Sequence, residues 1–148
     1  MSVICSFFGH AAVGNEIRPA LSAEIERQIT ERHTDTFYVG GYGHFDRMAS
    51  DLLEEMKKRY PHLTVYHILA YLPASAGKEP YEPRFPTLYP EGLELVPKRV
   101  AILRRNRWMV NQSDFIIGYV LTTYGGAYEA LRYAKQKKKS IVNIADGT

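Results

Sequence analysis

The sequence holds a single cysteine, Cys5, among its 148 residues. One thiol cannot form an internal disulfide, which excludes a cross-linked secreted scaffold and fits a reducing compartment. Cys5 stands inside the apolar run 3–8, where a small buried hydrophobe is expected rather than a nucleophile. Long hydrophobic runs are missing too: no stretch approaches the roughly eighteen apolar residues of a membrane span. No signal peptide precedes the first apolar run either, so the expectation is a cytoplasmic protein with no membrane partner. Charge of one sign is scarce, with 19 Lys and Arg against 16 Asp and Glu for a net charge of +3. That excess is too mild to demand nucleic acid, which is set aside as a partner, yet it suits an anionic small ligand. Two motifs are also absent. The first apolar run is not followed by Gly-x-Gly-x-x-Gly, and no lysine follows a glycine loop, which removes the ordinary NAD-type and P-loop fingerprints. No cofactor is expected.

What is present centres on residues 36–49, Thr-Phe-Tyr-Val-Gly-Gly-Tyr-Gly-His-Phe-Asp-Arg-Met-Ala. Strand-forming residues run into Gly40, Gly41 and Gly43, and Phe45, Met48, Ala49, Leu52, Leu53 and Met56 then recur at helical spacing. This predicts a strand, a tight turn and a helix N-terminus, where glycine lets a ligand approach the backbone and unpaired N–H groups welcome an anion. Asp46, in the first helical turn, either complements the helix dipole or accepts from a ribose hydroxyl. A second glycine loop, Gly125-Gly126-Ala127, opens a later helix.

The remaining pattern alternates strand and helix. Strands are predicted at 3–8, 35–39, 63–69, 114–120 and 140–145. Amphipathic helices are predicted from Pro19, over 44–59, over 98–111 and after Gly126. Such alternation with short joints is the mark of βαβ units. The expectation is a single α/β domain over 1–148 with a doubly wound, mainly parallel five-stranded sheet in the order 3-2-1-4-5 and helices on both faces. The ligand crevice then lies between the first and fourth strands at their C-terminal ends. That placement gathers Gly9 and His10 beside the Gly125–Ala127 loop, with Gly40, Gly41, Tyr42, Gly43, Phe45 and Asp46 one strand away. His10 and His44 fall on the same edge without further ligands, so no metal is expected. Six of the 8 prolines (73, 80, 83, 86, 90 and 97) crowd one insert at 73–97 with Tyr81 and Tyr89. It is read as an ordered lid or dimer arm, with 92–96 as a short extra strand.

Several of these motifs together resemble the SLOG superfamily. They are Val39-Gly40-Gly41-Tyr42-Gly43 with Asp46, the run Arg105-Asn106-x-x-Met109-x-x-x-Ser113-Asp114, Gly125-Gly126-Ala127, and Gly9-His10 after the first strand. That group holds the LOG-type phosphoribohydrolases, the Rossmann-like domain of DprA-type DNA-processing proteins and small bacterial proteins. The resemblance implies a Rossmann-like nucleotide-binding fold, often a homodimer, with Arg105, Asn106 and Met109 against the ligand. It also implies Arg105 and Glu129 as catalytic residues if the chain is a hydrolase. Two departures stand out. Asn106 replaces a lysine of the LOG pattern, and the catalytic glutamate of that pattern falls on Ala130, with Glu129 one residue early. The leading expectation is therefore a binder of a nucleotide or nucleotide-derived ligand, acting as a sensor or signalling protein. A LOG-like N-glycosidic hydrolase and a DNA-binding protein are the alternatives.

Overall fold

The computed structural model describes residues 1–72 and 84–146. Within them the order is β1 (Ile4–Gly9), α1 (Arg18–Thr30), β2 (Thr36–Val39), α2 (Gly43–Arg59), β3 (Thr64–Ile68), β4 (Thr87–Leu88), α3 (Ala101–Gln112), β5 (Phe115–Tyr119), α4 (Gly126–Gln136) and β6 (Ser140–Asn143). The sheet has 6 strands in the order β4-β3-β2-β1-β5-β6. All its pairings are parallel. The predicted order is present, carried one strand further at the β3 edge.

Alternation along the strands divides the core between two faces. Cys5, Phe7, Phe37, Val39, Val65 and Ile117 point to one side, where they pack with Leu21, Ile25 and Ile29 of α1 and with Phe45, Met48, Leu52, Leu53 and Met56 of α2. Phe8, Tyr38, Ile68 and Ile116 point to the other, against Met109 and Val110 of α3 and Ala130 and Ala134 of α4. Burial on both faces explains why the strands read as continuous apolar runs rather than alternating ones. The chain winds outward from β1 to β4, then returns through α3 to place β5 on the opposite side of β1. The sheet therefore reverses direction between β1 and β5.

The edge of the sheet corrects one expectation. The extra strand is Thr87–Leu88, not 92–96. His67 N donates to Pro86 O at 2.8 Å and Leu69 N to Leu88 O at 2.8 Å, which extends the β3 ladder. Leu93–Leu95 is instead a 3-10 turn, closed by Leu95 N to Gly92 O at 3.0 Å and Val96 N to Leu93 O at 3.1 Å. The flanking Pro90 and Pro97 lack the N–H that a ladder requires, so the segment turns on itself. Phe85 is buried in the α2 face of the core. Of the insert read as a lid or arm, Thr87–Leu88 joins the sheet edge, and 73–83 lies outside the described residues. Among the described residues no helix is long and apolar enough to cross a membrane.

Candidate functional site

A cavity of about 300 Å³ opens at the C-terminal edge of the sheet, beside the point where the strand order reverses. β1 contributes Gly9 and His10, the β2–α2 turn Gly40, Tyr42, Gly43 and Asp46, α3 Arg105, Asn106 and Met109, and the start of α4 Gly125, Gly126 and Ala127. The sheet topology brings together residues more than a hundred positions apart, because β1 and β5 are hydrogen-bonded neighbours. Five further residues line it that sequence reasoning passed over: Phe7, Phe8, Ala11, Ile102 and Tyr124. Ile102 had a legible signal, since it precedes Arg105, Asn106 and Met109 at helical spacing on one face of α3. Tyr124 adjoins the second glycine loop and is 73% exposed at the rim.

Three expected site residues stand elsewhere. Phe45 is fully buried in the core, and its ring lies so close beneath Gly9 that a Cβ there would overlap it. Gly41 faces away from the cavity: its φ is +84°, and a Cβ would strike the His67 ring. Glu129 sits in the first turn of α4 but outside the lining, half exposed and paired with Arg132 at 3.3 Å. Among the described residues, Asp46 is the one carboxylate on the cavity wall.

The two glycine turns are not equivalent. In the turn before α2 the N–H groups of Tyr42 and His44 are taken up internally. Asp46 Oδ2 accepts from Tyr42 N at 3.2 Å, and Ala11 O accepts from His44 N at 2.7 Å. At α4 no side chain caps the helix. The opening N–H groups of a helix have no partner within it, so Gly126 and Ala127 present theirs at the cavity wall. The helix dipole adds partial positive charge at the same point. The open N–H groups of the cavity wall are therefore those of α4 rather than those of the turn before α2 on which the sequence reading centres.

His10 fixes the loop that leads there. Its Nε2 accepts from Leu121 N at 2.8 Å, so the neutral ring carries its proton on Nδ1. Asn143 clasps the same loop, accepting from Val120 N and donating to Val120 O, both at 3.0 Å.

Arg105 forms the floor. Its guanidinium is buried, with Nη1 donating to Gly40 O and Ile68 O at 2.9 Å each and Nε donating to Asn106 Oδ1 at 3.0 Å. The group lies flat against Gly40, where an added Cβ would come within 3.1 Å of it. The Tyr42 ring covers it at 5.4 Å. Only Nη2 keeps its protons free of a partner among the described residues, so the two-nitrogen fork suited to a phosphate is already committed to carbonyls. Burial drives the Asp46 carboxyl up to about 7, and this outweighs the neighbouring Arg105 charge and the N–H groups of Tyr42 and Gly41 that favour its ionised form. Burial likewise lowers Arg105, with Asp46 opposing. Among the described residues no group of three His, Cys, Asp or Glu side chains is arranged to hold a metal ion.

No family model and no curated protein matches the sequence. Solved structures do match in shape. DNA processing protein A (DprA) from Streptococcus pneumoniae superposes with a TM-score of 0.68 at 12% identity, over 95% of this chain and 49% of that one. The chain has the DprA-type Rossmann-like fold. DprA from Helicobacter pylori gives a TM-score of 0.58 at 15% identity, over 94% of this chain and 63% of that one. The chain thus spans about half to under two thirds of the length of these DprA proteins. The Helicobacter pylori structure is described by its single-stranded DNA binding mode. That corrects the expectation drawn from net charge, which had set nucleic acid aside. Net charge sums the whole surface, whereas contacts to nucleic-acid phosphates depend on a few local donors.

Proposed function

We propose that the chain binds single-stranded nucleic acid, seating one nucleotide in the cavity with its phosphate on the N–H groups that open α4. The carrying observation is the contrast between the two glycine turns: before α2 the N–H groups of Tyr42 and His44 are engaged from within, while those of Gly126 and Ala127 have no partner among the described residues and stand at the cavity wall. Tyr42 and Tyr124 stand at the mouth, 49% and 73% exposed, as π-faces on which bases stack without regard to sequence. Arg105 Nη2 supplies a fixed positive charge behind them. The fold shared with DprA supports the same reading. A cavity of about 300 Å³ lies at the lower end of the range for small-ligand sites. Together with the buried acceptor Asp46, that size also favours a free mononucleotide as a second reading. Hydrolysis of the LOG type draws no support from Glu129, which points away from the cavity.

Gly126→Asp tests the proposal cleanly. Open space surrounds the position where its Cβ would stand. An acidic residue at a helix N-terminus favours the fold, while its carboxylate repels a phosphate there. Fluorescence anisotropy with a labelled oligothymidylate at low salt is expected to show at least about a tenfold loss of affinity, with wild-type thermal stability. Undiminished binding by the variant would refute this placement of the phosphate. Thymidine monophosphate that binds wild type as tightly as the oligomer would favour the second reading.

A further inference from the structure

On the far side of the β2–α2 turn lies a smaller cavity of about 120 Å³, lined by Val39, Gly41, Arg47, Ser50, His67, Arg84 and Phe85. It shares no lining residue with the first cavity, and the Gly40–Tyr42 turn forms the ridge between them. Its chemistry is that of an anion site. Arg47 is exposed on the first turns of α2 and makes no hydrogen bond or ion pair among the described residues. Ser50, one turn further along, is only 8% exposed, yet its hydroxyl has no hydrogen-bond partner among the described residues. A hydroxyl at a cavity wall with no partner among the described residues can donate to an anion that enters. Arg84 approaches from the strand edge, anchored beside Phe85, and bonds Asp51 on α2 with Glu54 at 3.9 Å. Among the described residues no carboxylate lines this cavity, and His67 forms its wall while its Nε2 meets Gly40 O at 3.1 Å.

We infer that this second cavity, built from Arg47, Ser50 and Arg84, receives the phosphate adjoining the nucleotide seated in the first cavity. The inference rests on the proposed function and extends it from one nucleotide to a directed path along the edge of the sheet. Both cavities flank one three-residue turn, so a strand crossing that turn meets the open N–H groups of α4 on one side and Arg47 on the other. The Arg84–Asp51 pair does not close the site. Both side chains are substantially exposed, and exposed pairs hold their partners weakly, so a phosphate competes for Arg84.

Two substitutions of opposite sign test this. Arg47→Gln removes one exposed cation and leaves the core intact. Its binding to oligothymidylate is expected to fall about five- to tenfold at low salt, and the slope of log K against log salt to shrink by about 0.7, one single-strand phosphate contact. Asp51→Asn frees Arg84 and removes a repelling charge, so it is expected to tighten oligomer binding about two- to fivefold. A gain of this kind cannot arise from misfolding. Binding of thymidine monophosphate, confined to the first cavity, is expected to stay unchanged in both variants. Oligomer affinity and salt slope equal to wild type in Arg47→Gln overturn this site and leave the first cavity standing. If wild type binds no oligomer at all, the proposed function falls. The second cavity is then judged with inorganic phosphate: the Arg47 Nε–H resonance must shift in wild type and not in a Ser50→Ala, Arg84→Gln double variant, and an unmoved resonance overturns it.

Discussion

At the scale of single residues, Asp46 is the most consequential side chain of the site. It spans the gap between backbone and charge, accepting from Tyr42 N at 3.2 Å while facing the Arg105 guanidinium. Its pKa is raised from 3.8 to about 7, with burial as the leading cause, so the native state holds a proton that the unfolded chain has already lost. The sign follows directly: where the native state binds more protons, stability falls as pH rises. Below about pH 4 both states are protonated and Asp46 contributes no pH dependence. Between about pH 4 and about pH 7 stability is expected to decline, by up to about 4 kcal/mol, and to level off above. Asp46→Asn keeps an acceptor for Tyr42 N–H without the titration, so it is expected to flatten that window. Urea melts of both proteins across this range give the comparison, and parallel curves would assign the slope to other groups.

Among the elements, the turn between β2 and α2 shows how one glycine motif serves several ends. Gly40 lets the Arg105 guanidinium lie against the backbone, whereas Gly41 supplies a left-handed conformation, φ +84°, with the His67 ring where a side chain would go. Gly41→Ala is therefore expected to destabilise the fold. The left-handed backbone alone costs about 1–2 kcal/mol, before the ring must move. Chemical denaturation measures this, and a midpoint equal to wild type would show that the turn relaxes freely. Helix α4 presents the complementary case. Its glycines have open space around them, so they answer to no packing demand from the described residues. What they leave accessible is the row of N–H groups on which the functional proposal depends.

For the molecule as a whole, Arg105 is the fastener that holds the site together. It sits on α3, yet its Nη1 bonds the carbonyls of Gly40 and Ile68, just beyond β2 and at the end of β3. The helix that returns the chain across the sheet is thus tied to the strand ends that form the cavity rim. Arg105→Ala would leave the Ile68 carbonyl without its donor, the Gly40 carbonyl with His67 alone, and Asp46 without its countercharge. The expected loss is about 3–5 kcal/mol of global stability, the usual cost of removing one partner from a buried charged cluster. Lysine should not restore it, because a single ammonium cannot reproduce a planar group held at two nitrogens. Equilibrium unfolding of Arg105→Ala and Arg105→Lys checks this, and a lysine variant as stable as wild type would reduce Arg105 to a simple positive charge.

Five of the six strands, the four helices of the described residues and the parallel winding were legible in the sequence, because each rests on local periodicity and on apolar runs buried on both faces. The convergence of Gly9, Gly40 and Gly125 on one edge was legible as well, since the β-α alternation admits few topologies, whereas Arg105 came only with the SLOG resemblance. Spacing along the chain carries no record of which donors are already engaged. Sequence alone could not show that Asp46 and Ala11 cap the α2 turn while α4 stays open, that Arg105 spends its fork on carbonyls, or that Glu129 turns outward to Arg132. Nor could it place the short strand at Thr87–Leu88, whose two residues take their structure from the exposed ladder of β3 rather than from their own propensity. Those outcomes depend on contacts between residues distant in sequence, and tertiary packing alone decided them.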